Sequence, residues 1–248
     1  MPAPDRETIW IIGASDGIGA ALARGFAMRG ARLILSARSA DRLDDLVREI
    51  GTDPHIALPL DVSDRASLEQ AVAAVSDMGP VDRVIHMAAA YDPGRIDEID
   101  AKTAARIVSI NLTGSFHISQ LAPRVLRQGG QLAMCGSIAG YFGLPQGQIY
   151  SATKAGVINL VESLKVELQG RIDVRLISPG FVDTRLTQRN DFDMPALITP
   201  ELAAREIIHG LNRRKFEVHF PRRLTLALKL LRALPYWAAL PLTQRLVR

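Results

Sequence analysis

Along most of the chain, short runs of β-branched and other apolar residues alternate with longer stretches whose apolar positions recur every three or four residues. The short runs predict strands at residues 8–12, 32–36, 56–60, 81–87, 131–135, 174–178 and 215–220. The longer stretches predict helices at 18–28, 42–50, 65–76, 150–168 and 200–211, with a further, longer helix running through Asn111. Local punctuation agrees with these bounds. Gly30 follows the first helix where a left-handed C-cap is needed, and Thr199-Pro200 opens the 200–211 helix with a cap and a first-turn proline. Alternation this regular builds an α/β fold: a doubly wound parallel sheet of about seven strands, with helices on both faces and right-handed crossovers. No repeat, linker or low-complexity tract interrupts residues 1–220, which read as one domain.

The pattern changes after residue 220. Residues 221–248 form a basic, leucine-rich extension in which Arg222, Thr225, Lys229 and Arg232 fall at steps of three and four, making one narrow polar stripe on a helix. The rest of that circumference is nearly all Leu and Ala, and Pro235-Tyr236-Trp237 leads into a second apolar stretch. Charged residues and prolines argue against a membrane-spanning helix. Two readings stay open: a helix lying in a membrane interface, or one buried in a homo-oligomer contact or lidding a pocket. Either points to a lipophilic substrate.

Composition changes this picture in two places. Apolar residues make up 48% and charged residues 23% of the 248, an ordinary globular balance. The net charge of +4, however, is unevenly placed. From Arg213 onward there are nine Lys/Arg against one acid, Glu217, whereas the preceding 212 residues hold 21 basic against 25 acidic residues. Such asymmetry raises nucleic acid or an anionic membrane as partners. Nucleic acid is not expected, because the extension offers leucines where base readout needs polar side chains. Cys135 is the only cysteine, which suits a reducing compartment, and residues 8–12 are too few for a secretory core. A cytoplasmic protein is expected, with peripheral contact at the inner membrane surface as an extension of that reading. The histidines show no ligand spacing, and no metal is expected.

The candidate chemistry begins at Gly13-Ala-Ser-Asp-Gly17-Ile-Gly19, directly after the first strand and before a helix. Glycines there allow a tight turn and let a pyrophosphate approach backbone N–H groups at a positive helix end. A second cluster is Tyr150-Ser-Ala-Thr-Lys154, with Ser137 upstream. A phenol and an ammonium four residues apart share one helix face. A free tyrosine titrates near pH ~10, and a nearby cation favours its phenolate and pulls that value toward neutrality. With a hydroxyl to anchor a substrate oxygen, such a pair provides a general acid/base and an oxygen site.

The glycine loop, Asn111, Ser137, the Tyr150/Lys154 pair and Pro179-Gly180, in this order, resemble the short-chain dehydrogenase/reductase family across residues 8 to 220. The resemblance implies a single-domain Rossmann fold binding NAD(H) or NADP(H). It implies that Tyr150 is the general acid/base, that Lys154 binds the nicotinamide ribose and lowers the phenol's pKa, and that Ser137 holds the substrate oxygen. Asn111 matches the asparagine that keeps a helix kinked around a proton-relay water. Cofactor contacts are implied for Gly13, Ser15, Asp16, Gly17, Ile18, Gly19, Arg38, Asp61, Val62, Ala88, Tyr150, Lys154, Pro179, Gly180, Val182 and Thr184. Asp61 and Val62 fall on the adenine side. Val182, through its backbone, and Thr184, through its hydroxyl, fall at the carboxamide. Residues 185–198 would form a mobile loop covering the substrate.

Cofactor choice turns on the end of the second strand. An acid there accepts from the ribose 2′-hydroxyl, whereas a nearby arginine suits a 2′-phosphate. The position is Ala37, with Arg38 beside it, so NADP(H) is favoured over NAD(H). Against that, Asp16 stands in the glycine loop where NADP-preferring relatives often carry a basic residue.

Two further departures are coupled. The family's Asn-Asn-Ala-Gly is His86-Met87-Ala88-Ala89 here, and its threonine before the first glycine is Ile12. Both ends of one family hydrogen bond have changed, so apolar packing is expected in its place. His86 reads as structural or adenine-side, and Cys135 as an inert core residue. The expected protein is an NADP(H)-dependent oxidoreductase interconverting a carbonyl and an alcohol, on a small lipophilic substrate, as a homodimer or homotetramer. The alternative is a non-catalytic dinucleotide-sensing regulator that binds a partner or a membrane through its C-terminal extension.

Overall fold

Strand β1 (Thr8–Ile12) is apolar and fully buried after its first residue, as a strand covered on both faces must be. A computed structural model describes residues 6–51 and 55–244 of the chain. Seven parallel strands stand in the order β3-β2-β1-β4-β5-β6-β7. The others are β2 (Arg32–Ser36), β3 (Ile56–Ala57), β4 (Val81–His86), β5 (Leu126–Cys135), β6 (Asp173–Pro179) and β7 (Glu217–Phe220). The sequence order reverses direction between β1 and β4, and a ligand crevice opens at the C-terminal strand ends there.

Helices α1 (Gly17–Ala27), α2 (Ala40–Ile50), α3 (Arg65–Asp77), α4 (Ala101–Val108), α5 (Gly114–Leu121), α6 (Gln148–Glu167) and α7 (Pro200–Leu211) cover the sheet. Alternating strand positions feed two cores. Trp10, Ile12, Ile34 and Val84 pack with residues from α3 to α6, whereas Ile9, Ile11, Leu33 and Ile85 pack with α1, α2 and α7. The one polar atom of buried Trp10 is satisfied, its Nε1 donating to Ser36 Oγ at 2.9 Å.

The departures from the sequence reading have local causes. The strand expected at 56–60 shortens to two residues, but Leu58 N and Leu60 N still donate to Leu35 O (2.8 Å) and Ala37 O (3.0 Å). β5 starts five residues earlier than expected, across a register shift against β4 between Val81 and Arg83. The long helix through Asn111 divides into α4 and α5 around a π-turn at Ser109–Thr113. As expected, Gly30 adopts a left-handed φ of 80° and the Thr199 hydroxyl caps α7.

The extension forms α8 (Arg222–Ala233) and α9 (Tyr236–Gln244). Its polar stripe does not face outward as a unit. Thr225 is fully buried, its Oγ1 2.6 Å from His219 Nδ1, and Lys229 is paired with Glu217 on β7. Polar groups on β7 give those two residues partners inward, so leucines are left on the outside. Among the described residues no helix is long and apolar enough to cross a membrane.

Candidate active site

The loop from β1 into α1 closes because its glycines do what other residues could not. Gly13 and Gly17 have φ of 90° and 52°. A Cβ on Gly13 would lie 2.5 Å from Ala88 N, and one on Gly19 would lie 2.0 Å from Gly13 O. The loop and the α1 N-terminus face a cavity of about 520 Å³ that runs across the strand ends. Backbone donors at a helix start, with no Cβ in the way, fit a dinucleotide pyrophosphate. Every cofactor residue expected from the sequence lines this cavity, from Gly13, Ser15, Asp16, Gly17, Ile18 and Gly19 through Arg38, Asp61, Val62 and Ala88 to Pro179, Gly180, Val182 and Thr184.

At one end, Arg38, Ser39 and Arg42 cluster around the start of α2, with Ala37 in place of an acid. The Ser39 hydroxyl makes no capping bond to its own helix. Asp16 does not stand as an isolated negative charge. Its Oδ1 accepts from Gly17 N at 2.7 Å, and its Oδ2 lies 3.6 Å from Arg42 and 3.3 Å from Arg185. Asp61 folds its side chain back onto Ser63, accepting from the backbone N (2.9 Å) and the hydroxyl (2.6 Å). The cap of α3 is neither of them but Asp64, which accepts from Ala66 N at 2.9 Å.

At the other end, α6 presents Tyr150 and Lys154 on one face, with Ser137 opposite at the end of β5. Lys154 is only 2% exposed; its Nζ donates to Cys135 O at 2.8 Å and sits 5.7 Å from the centre of the Tyr150 ring. Burial lowers the Lys154 pKa. The expected lowering of the Tyr150 pKa is not what this geometry gives. Burial raises it, Cys135 and Tyr91 add to the rise, and the Ser137 hydroxyl alone pulls the other way. Removal of the phenol from water outweighs its neighbours. Cys135 is likewise not a core residue: it lines the cavity, and burial raises its thiol pKa.

Asn111 is fully buried behind this group. Its Oδ1 accepts from Ala90 N at 2.7 Å, and its Nδ2 donates to Ala90 O (2.9 Å) and Thr153 Oγ1 (3.1 Å). It therefore clamps the segment after β4 to the turn of α6 that carries Tyr150. Its carbonyl accepts from Ser115 Oγ at 2.6 Å. With its proton so engaged, Ser115 Oγ accepts from His86 Nε2 at 3.2 Å, and His86 is buried away from the cavity lining. Ile12 and Met87, the altered family positions, pack into opposite apolar cores, and Met87 N donates to Ile12 O at 2.7 Å.

Burial lowers the His86 pKa to about 3, with Lys154 adding to the effect. The unfolded chain takes up this proton near pH ~6.5 and the folded chain far lower, so stability is complete above that value and falls as pH drops toward about 3. Each pH unit in that window costs about 1.4 kcal/mol. His86→Gln is expected to flatten the acid limb of a melting-temperature profile; an unchanged slope would remove the assignment.

Among the cavity residues not legible as site residues are Arg42, Arg185, Tyr91 and Arg189. Tyr91 packs edge-on against Tyr150 with ring centres 4.8 Å apart, and its hydroxyl donates to Asn190 Oδ1 at 2.6 Å. Arg189 binds Tyr91 O (2.9 Å) and Asp92 (3.1 Å). Residues 189 and 190, in the 185–198 segment expected as a mobile cover, thus contact Tyr91 and Asp92. Apart from a single Tyr after the alanine run, no sequence signal marks this contact.

A family model described as short chain dehydrogenase matches residues 7–194. An uncharacterized oxidoreductase of Myxococcus xanthus is 32% identical over 235 residues, covering 92% of this chain and 93% of that protein. A short-chain dehydrogenase from Sphingobium yanoikuyae, solved with NADPH, superposes with a TM-score of 0.80 at 27% identity, covering 97% of this chain and 94% of that one. One from Burkholderia phymatum, solved with NAD, superposes at 0.82 over 91% and 92% of the chains; at 22% identity it speaks for the fold alone. The chain belongs to the short-chain dehydrogenase family. It is an NAD(P)-dependent oxidoreductase acting on CH–OH groups.

Proposed function

We propose that the protein interconverts a lipophilic ketone or aldehyde and its alcohol with NADP(H), using Tyr150 as general acid/base. The observation that carries this reading is the cavity's polarity. Ser137, Tyr150 and Lys154 meet at one end, and Arg38, Ser39 and Arg42 gather at the other around a helix N-terminus. When bound, the nicotinamide supplies or accepts a hydride at the substrate carbon. Ser137 orients the substrate oxygen. The Tyr150 hydroxyl gives that oxygen its proton in reduction and takes it back in oxidation. Lys154, held by the Cys135 carbonyl beside the Tyr150 ring, would bind the nicotinamide ribose. Asn111 is a positioning residue that keeps α6 and the 88–90 segment in register.

A lipophilic substrate is supported by the apolar residues Ala89, Ala90, Tyr91 and Leu186 in the cavity lining. Its test is NADPH and NADH oxidation against carbonyls graded by chain length. Rates that fail to rise with apolar length would sink it. Exposed Phe116 on α5 and Val166 on α6 support a homodimer or homotetramer through those helices, and the single Cys135 supports a cytoplasmic location.

Tyr91 lines the cavity between Tyr150 and Asn190. Tyr91→Phe removes the tie to Asn190, a hydrogen bond contributing about 1 kcal/mol. A KM raised by roughly fivefold with kcat little changed is expected. Tyr91→Ala is expected to admit bulkier carbonyls. An equal fall in kcat for all substrates would assign Tyr91 to the chemistry instead.

A further inference from the structure

We infer that α8 and α9 form a docking surface for an anionic lipid bilayer, through large apolar side chains left exposed among the described residues. The two helices are fastened by their polar and small residues. Thr225 and Ala239 are fully buried, Thr243 is 7% exposed, and Lys229 is held by Glu217 while lying 5.3 Å over the Tyr141 ring. Fastened this way, the pair turns its large apolar side chains outward. Leu226 is 56%, Leu230 66%, Tyr236 65%, Trp237 81%, Leu240 48% and Leu242 47% exposed. Six large apolar residues exposed on two consecutive helices are more than scattered surface leucines and point to an interaction site.

Charge identifies the occupant. Arg222, Arg223 and Arg232 stand exposed on α8, and no acid occurs anywhere from Pro221 to Arg248. Lys229 on α8 is turned inward onto its acidic partner Glu217. A second copy seated on this face would add its own arginines to the interface, with no acid in α8 or α9 of either copy to answer them. An anionic bilayer answers them everywhere. Leucines reach the acyl boundary, Tyr and Trp favour the headgroup level, and arginines meet lipid phosphates. The helices lie on the surface rather than cross it, since neither is long and apolar enough to span.

The test is co-sedimentation of the full chain with vesicles of phosphatidylcholine, with and without phosphatidylglycerol, and tryptophan emission read alongside. Trp10 is fully buried and Trp237 is 81% exposed, so a change on adding vesicles reports Trp237. Pelleting at least about tenfold greater with the anionic vesicles is expected, reversed by high salt, together with a blue shift of emission. Arg222→Glu/Arg223→Glu/Arg232→Glu is expected to lose the anionic preference, and Trp237→Ser to weaken pelleting, while both keep NADPH turnover. Equal pelleting with both vesicle types, or none, would overturn the proposal. So would a dimer that Leu226→Ser/Leu230→Ser dissociates in light scattering while vesicles capture nothing; the face would then belong to a second copy. These readouts are independent of turnover, so their failure leaves the catalytic reading standing.

Discussion

Tyr150→Phe is expected to lower kcat by at least about a thousandfold while leaving NADPH affinity within about threefold of the parent. The reason lies in what the substitution leaves intact. The ring remains against Tyr91, Lys154 remains on the Cys135 carbonyl, and the glycine loop is untouched. Only the proton that must pass between phenol and substrate oxygen is gone. Burial holds the Tyr150 pKa above its ordinary value, so the hydroxyl is protonated at neutral pH and set up for reduction. Oxidation, which needs the phenolate, is expected to gain steadily as pH rises. Stopped kinetics with intact cofactor binding, followed by fluorescence titration of NADPH, checks both parts. A variant that turns over at the parent rate would remove Tyr150 from the chemistry.

The second large effect is expected at the far end of the cavity. Arg38→Ala/Arg42→Ala should raise KM for NADPH by roughly a hundredfold and change KM for NADH by less than about twofold. A charge-assisted hydrogen bond to a phosphate contributes about 1.5–3 kcal/mol, and only NADPH carries the 2′-phosphate that these residues would meet. Ala37→Asp should move the preference the same way by a different route, because a carboxylate there accepts from a ribose hydroxyl and repels a phosphate. Asp16 is not expected to oppose NADPH strongly, since its charge is shared between Arg42 and Arg185. Steady-state kinetics with both cofactors measures this. Parallel losses for NADPH and NADH would mean that the two arginines hold the loop rather than read the phosphate.

Much of this site was legible because its chemistry is local in the chain. The glycine loop, the Tyr150/Lys154 spacing and the strand–helix alternation each occupy a few consecutive residues, and each imposes its own geometry. What could not be read was assembled across the chain. Tyr91 and Asn190 are 99 residues apart, and Asp16 and Arg185 meet only when the segment after β6 folds over the glycine loop. An apolar strand ending in Cys135 suggests a core residue, but β5 ends at the cavity wall. The extension shows a different limit. A helical stripe of polar residues tells which side differs, not which side docks. Glu217 and His219 on β7 supplied partners that drew Thr225 and Lys229 inward and left the leucines exposed. The Tyr150 pKa escapes the sequence for the same reason: spacing shows a nearby cation but not the depth at which the phenol is buried.

Hydride transfer with proton exchange at Tyr150 is most directly tested by deuterium transfer from C4-deuterated NADPH to an apolar ketone, followed by mass spectrometry of the alcohol. One deuterium on the carbinol carbon is expected with the parent protein, and none above background with Tyr150→Phe over the same time. A carbinol hydrogen drawn from water, or label transfer at an undiminished rate in the variant, would contradict it.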